Sequence, residues 1–276
     1  MRKVLPLLVA LAVVFFVVFN ISRKSSTQPT PPPTANGTPP ATSNDNAISS
    51  APEKVEVPRA ADPGVAAVVD EMLAAWDKVS GLYATLETNM PQAAGHKGQT
   101  KGKGKYWVQK TDGRLKIRFE LNNILQIEQE GGVLGTQEML FTVIDGRNVY
   151  TYINQPGHKS AQKKKLTYDD VLHIGGPNLF RDLVENNKLT LLPEEMKNNR
   201  ATKVLKAEPK DGSWQTIHHF DKATGVRLEM TELDSKGETA LQIKVIEIDT
   251  NPTIGDEQFQ PVVPEGVTLE DLTNTP

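Results

Sequence analysis

Between residues 114 and 121 the chain alternates strictly. Leu115, Ile117, Phe119 and Leu121 are apolar, whereas Arg114, Lys116, Arg118 and Glu120 are charged. Successive side chains of a strand point to opposite faces, so this stretch predicts a half-buried β-strand with one greasy and one charged side. The same period predicts strands over Tyr106–Gln109, Ile124–Glu128 and Met139–Ile144, and Asp145-Gly146 predicts a tight turn into a strand over Val149–Ile153. Further on, Trp214–Phe220 turns through Asp221–Gly225 into Val226–Leu233, and Leu241–Ile248 adds another strand. Upstream the period is helical: after Asp62-Pro63, an N-cap followed by a first-turn proline, Val65, Val68, Val69, Met72, Leu73, Trp76 and Val79 share one face of a helix ending near Gly81. Short helices are predicted over Thr167–His173 and Asn178–Glu185, on either side of the breaker Gly175-Gly176-Pro177. The sum is an α+β fold, a large antiparallel sheet with one opening helix and short inserted helices.

Two segments precede this unit. Residues 4–19 are apolar apart from Pro6 and follow Arg2-Lys3, the pattern of an export signal, and the apolar run extends to Ile21. No small-residue cleavage pattern stands between Phe19 and Arg23-Lys24, so residues 1–24 are expected to remain as a membrane anchor through 4–21, with the rest of the chain on the extracytoplasmic side of the inner membrane, or exported if the segment is cut. Residues 25–61 form a linker. Of the 36 residues from Ser25 to Ala60, eight are Pro and ten are Ser or Thr, a composition that buries too little apolar area to offset its ordering entropy. Residues 62–276 remain as one folded unit, long enough for a substantial core.

Composition narrows the chemistry. The absence of Cys excludes a disulfide scaffold, a thiol nucleophile and a cysteine-lipidated anchor, and the net charge of -3 gives no overall reason to expect nucleic acid. The run Gly98–Lys105 lacks the phosphate-loop register, since Tyr106 follows Lys105 where Ser or Thr is required, and it reads as a loop. His218 and His219 are adjacent in a strand, on opposite faces, so they do not jointly hold a metal. The acidic pairs Asp169-Asp170, Glu194-Glu195 and Asp256-Glu257 read as solvated loop or helix-start residues. No nucleophile elbow occurs, so no enzyme, cofactor or metal is expected. Charge is nevertheless segregated: residues 97–118 hold eight basic residues and one acid, while residues 228–276 hold eleven acids and two Lys. Oppositely charged neighbours on the outer face of the sheet account for this, or else Lys101, Lys103 and Lys105 face anionic lipid headgroups.

The order of these features resembles the LolA/LolB lipoprotein-carrier family and its RseB-type relatives. The resemblance rests on the opening helix with Trp76, the basic strand Gly113–Phe119, the hairpins Ile144–Tyr152 and Phe220–Val226, and the end Phe259–Val267. It implies a curved antiparallel sheet forming an unclosed β-barrel, with helices as a lid and an apolar lining that receives the acyl chain of a lipid or lipoprotein. Independently of the family, a one-sidedly apolar sheet with few helices leaves room for a guest if the helices fail to fill it. The expected lining is Trp107, Leu115, Ile117, Phe119, Leu121, Phe141, Val143, Tyr150, Tyr152, Leu179, Phe180, Leu183 and Trp214, with Lys101, Lys103 and Lys105 as headgroup or membrane contacts. The alternative is a regulatory or protein-interaction module of RseB type, whose core is fully packed and whose edge strands or basic patch dock a protein partner.

Overall fold

Asp62 starts the first helix as its position before Pro63 predicts. In the computed structural model, which describes residues 55–91, 98–111, 114–129, 132–166, 173–210, 212 and 214–273, its Oδ1 accepts from the backbone N–H of Gly64 at 2.7 Å and of Val65 at 3.0 Å. Helix α1 (Pro63–Asp77) stops short of Gly81 because Gly81 already belongs to a strand and Ser80 bonds to Asn251. Residues ahead of Asp62 join the fold too: Val57 and Ala60 pack on the helix cluster described below. The expected anchor over 4–21, the linker up to residue 54 and, of the short helix expected over Thr167–His173, residues 167–172 with the Asp169-Asp170 pair lie outside the described residues; His173 is not helical.

Among the described residues twelve strands follow in one sheet: β1 (Gly81–Met90), β2 (Gly98–Thr111), β3 (Arg114–Gln129), β4 (Gly132–Ile144), β5 (Asn148–Gln155), β6 (His158–Lys165), β7 (Asn187–Lys197), β8 (Arg200–Pro209), β9 (Gln215–Asp221), β10 (Arg227–Leu233), β11 (Thr239–Thr250) and β12 (Leu269–Asp271). Helix α2 (Pro177–Asn186) lies between β6 and β7, and a 3-10 turn (Asp256–Phe259) lies between β11 and β12. The sheet runs β12-β6-β5-β4-β3-β2-β1-β11-β10-β9-β8-β7, so its ends do not meet and the barrel is unclosed. It is curved around α1: Trp76 and Val79 share one buried cluster with Phe119, Leu140 and Val149 of one wing and Val226, Leu228 and Val245 of the other. Bulges help it coil. Ile246 is the extra residue where Thr85 pairs Glu247 and Leu86 pairs Val245, and Pro193 sits in the irregularity between Leu192 and Glu195 of edge strand β7.

Several sequence expectations change. The Gly/Lys run is not a loop but the first half of β2, because its glycines and lysines alternate and so present opposite faces of a strand. The predicted strands at Leu115 and Ile124 are one sixteen-residue strand; Asn122-Asn123 interrupts the apolar alternation without changing its parity, since Asn123 shares its face with Leu121 and Leu125. Glu194-Glu195 lies in β7, not in a loop. The sheet is not purely antiparallel either, because β12 pairs with β6 in parallel. The two hairpin turns stand where predicted, at Asp145-Gly146 and Asp221–Gly225. Gly225 adopts φ 67°, and a Cβ there would sit 2.2 Å from the Met72 carbonyl oxygen, so glycine lets the β9–β10 turn touch the α1 backbone.

Two apolar clusters form the core. One joins Trp76 and Val79 to Leu82, Leu86, Tyr106, Ile117, Phe119, Leu121 and Leu140 of the sheet face that the helices cover, here the inner face. The other joins Val65, Val69 and Met72 of α1 to Leu179, Phe180 and Leu183 of α2 and to Leu205, Ala207 and Phe220. The Phe180 and Phe220 rings pack with centroids 4.8 Å apart, tilted by 36°.

Candidate functional site

The register decides which side chains share the inner face. Leu86 pairs Gly104, which pairs Leu121, which pairs Leu140, which pairs Ile153: an apolar rung across five strands. One rung further along, the same strands present Thr88, Gly102, Asn123 and Glu138, with Gln155 of β5 next on that face. Apolar character thus gives way abruptly to polar. Thr88 Oγ1 donates to Asn123 Oδ1 at 3.4 Å across Gly102, where a Cβ would come within 2.2 Å of Asn123 Oδ1 and 2.4 Å of Thr88 Oγ1. Glycine at 102 therefore lets the asparagine lie over β2.

Glu138 is the unusual member. Its side chain is buried, at 2% exposure, and neither carboxylate oxygen has a hydrogen-bond partner. Burial alone raises its pKa to about 7, because an ionised carboxylate taken out of water is disfavoured. Its neighbours one rung on, Thr100 and Thr136, also have buried hydroxyls with no partner. Leu125, Leu241 and Ile243 on the same face are buried yet belong to neither helix-packed cluster. The polar rung thus lies where the cover provided by α1 and α2 ends.

A second polar group sits deeper. Arg227 donates to the His173 carbonyl at 2.8 Å and lies 3.5 Å from His218 Nδ1, while His218 Nε2 is 2.7 Å from Thr216 Oγ1. Burial, then the guanidinium, hold the His218 pKa well below its ordinary value, so the ring is neutral. Burial also lowers Arg227 to about 10, which leaves it charged at neutral pH. His219, on the opposite face, meets Glu195 at 3.2 Å. Among the described residues no group of His, Asp and Glu is arranged to hold a metal.

The expected lining divides between the two faces. Leu115, Ile117, Phe119 and Leu121 are inner-face residues of the first cluster. Leu179, Phe180 and Leu183 are inner too, but they pack under α1 in the second. Trp107, which pairs Arg118, lies on the outer face, as do Phe141, Val143, Tyr150 and Tyr152, because Arg118 pairs Val143 and Val143 pairs Tyr150. They are covered there by residues 252–271. Arg118 lies over the Phe141 ring at 4.6 Å and the Trp107 ring at 5.6 Å, donates twice to Glu120, and reaches the Gln258 carbonyl at 3.0 Å. Pro261, Val263 and Leu269 close over Phe141, Tyr150 and Tyr152 around a hollow of about 10 Å³, the size of one water. Trp214 is half-buried just ahead of β9. Lys101, Lys103 and Lys105 are exposed on the outer face of β2, and only a loose 3.9 Å approach to Glu87 engages Lys103.

Charge segregation has its structural counterpart here. The acidic C-terminal segment lies on the basic strands, with Lys116 to Asp256 at 2.7 Å and Lys163 to Asp271 at 3.0 Å. No protein-family model and no curated protein matches the chain. Among solved structures it is similar to MucB, at 16% identity and a TM-score of 0.47 over 73% of this chain and 64% of that one. It is also similar to MucB in the MucA/MucB complex of Pseudomonas aeruginosa, at 17% identity and a TM-score of 0.44 over 70% of this chain and 59% of that one. A domain from Vibrio parahaemolyticus described as an outer membrane lipoprotein-sorting protein matches at 15% identity and a TM-score of 0.31, over 70% of this chain and 94% of that one. The match thus spans less than two thirds of the MucB chains.

Proposed function

We propose that this chain is a non-catalytic, extracytoplasmic binding protein, held at a membrane by residues 4–21, whose inner sheet face receives the acyl chain of a lipid or lipoprotein. The observation that carries the reading is the mismatch between the inner face and its cover. The sheet continues past the helix-packed clusters, and Leu125, Leu241 and Ile243 lie there beside buried groups without partners. A face that is apolar for several rungs and then polar, beyond the helix-packed clusters, suits an amphiphile. Lys101, Lys103 and Lys105, exposed on the reverse side of the same strands, suit a surface that rests against anionic headgroups.

A second reading, a protein-binding regulatory module, has its own support in the filled part of the core, where Met72 and Phe180 are completely buried and leave no room at that end. Native mass spectrometry of the full chain, released gently from membranes and extracted for lipid, separates the two. Acyl species at one per chain support the first. A clean apo mass, with no uptake of a fluorescent fatty acid, overturns it in favour of the second.

A further inference from the structure

Ionised carboxylates out of water are stable only when something donates to them. Glu138 is 2% exposed with both oxygens unpartnered, and the side chains flanking it on its face supply no cation: Asn123 on β3, Thr136 and Leu140 on β4, Gln155 on β5. The remaining titratable groups of the inner face are His158, exposed beside Gln155 at the start of β6, Lys164, Lys110, Lys203, Glu232, His218, Tyr106 and Arg227, and none of them contributes to the state of the Glu138 carboxyl. Lys110 reaches the Trp76 carbonyl, and Lys203 pairs with Glu71 and Glu194. Glu232 is another buried acid. Arg227 is engaged with His173 and His218. Beside Glu138 stand the unpartnered hydroxyls of Thr100 and Thr136, with Leu125 between them and Ile243 across Thr88, apolar residues that belong to neither helix-packed cluster. The chain thus places a buried, unpartnered acid with no cation against it beside apolar residues that the helices do not pack.

We propose that the rung Thr88–Asn123–Glu138–Gln155 is a headgroup site for a long-chain amphiphile bearing a protonated amine, with Glu138 as the counter-charge and the chain along Leu125 and Ile243, which the helix-packed clusters leave out. The inference rests on the acyl-binding reading and adds the chemistry of the head. An ammonium group brings the positive charge that Glu138 lacks, turning a buried unpaired acid into a charge-assisted pair. A phosphate or carboxylate head would instead meet the Glu138 carboxyl, a like charge once ionised. Because the Glu138 carboxyl ionises near neutral pH, the preference for an amine strengthens as the pH rises.

The test uses the full chain in phosphatidylcholine vesicles with photoactivatable diazirine derivatives of decylamine and decanol, and reads the labelling of β1–β4 peptides by mass spectrometry. At pH 8 the amine is expected to label these strands about tenfold more than the alcohol, falling towards parity at pH 5, on the scale of one charge-assisted contact. E138Q, nearly isosteric, is expected to remove the preference while leaving alcohol labelling intact. Equal labelling by both probes in the parent protein, or a preference that survives in E138Q, overturns the headgroup site alone. Labelling of the inner face by neither probe overturns the acyl-binding reading and the site with it. The pH dependence of the parent protein keeps the test decisive if E138Q folds poorly.

Discussion

At the scale of single residues, Glu138 carries a cost that its replacement reveals. Its carboxyl titrates at about 7 in the fold, against the ordinary value near 4.5, so the native chain holds a proton that the unfolded chain gives up between those limits. Stability is therefore complete below about pH 4.5 and is lost as the pH rises through 7. E138Q is expected to be about 2 kcal/mol more stable than the parent at pH 8 and equal to it at pH 4.5, as read by thermal melts at the two values. Gly102 gives the opposite case: G102A drives a Cβ into Asn123 and Thr88 and is expected to cost about 2 kcal/mol in the same assay. Glu138 lies one residue before the strand expected from Met139 and is missing from the expected site, although its place was legible in the sequence: it has the parity of Leu140 and Ile144, where the pattern calls for an apolar residue. The division of the expected lining was not. Phe141, Val143, Tyr150 and Tyr152 have apolar character because residues 252–271 cover the outer face too, and alternation cannot tell which of two buried sides is which.

At the scale of elements, the segment from residue 252 to β12 behaves as a strap across the outer face. Phe259 is its anchor, at 3% exposure, whereas Asp256 is largely exposed and its bond to Lys116 is a surface pair. Phe259→Ala is expected to cost about 3 kcal/mol and to speed proteolysis within residues 252–268, with the sheet signal in circular dichroism retained. Asp256→Ala should cost less than about 1 kcal/mol and leave the cleavage rate nearly unchanged. Helix α1 and the hairpins could be read from periodicity and turn chemistry because each is locally determined. Strands β1, β6, β7 and β8 could not: β6, with Lys159, Lys163, Lys164 and Lys165, and β7, with four charged residues, are polar edge-region strands recruited by their neighbours.

At the scale of the molecule, the pairing of β1 with β11 is the seam between two wings, and it joins segments about 160 residues apart in the chain. Val245 lies inside that seam at 2% exposure, while Ile246, the bulge residue beside it, points outward at 44%. Val245→Asp is expected to abolish the cooperative melt, since it buries an unpaired charge where both wings meet; Ile246→Asp should fold with a melting temperature within a few degrees of the parent. The two borders of the sheet complete this picture. A twelve-stranded ribbon with bare margins would template copies of itself and grow into fibrils. Here one margin is only three residues long, at Leu269–Asp271, and the other is bent at Pro193 and lined with charge, so neither offers a straight run of free amides for another chain to extend.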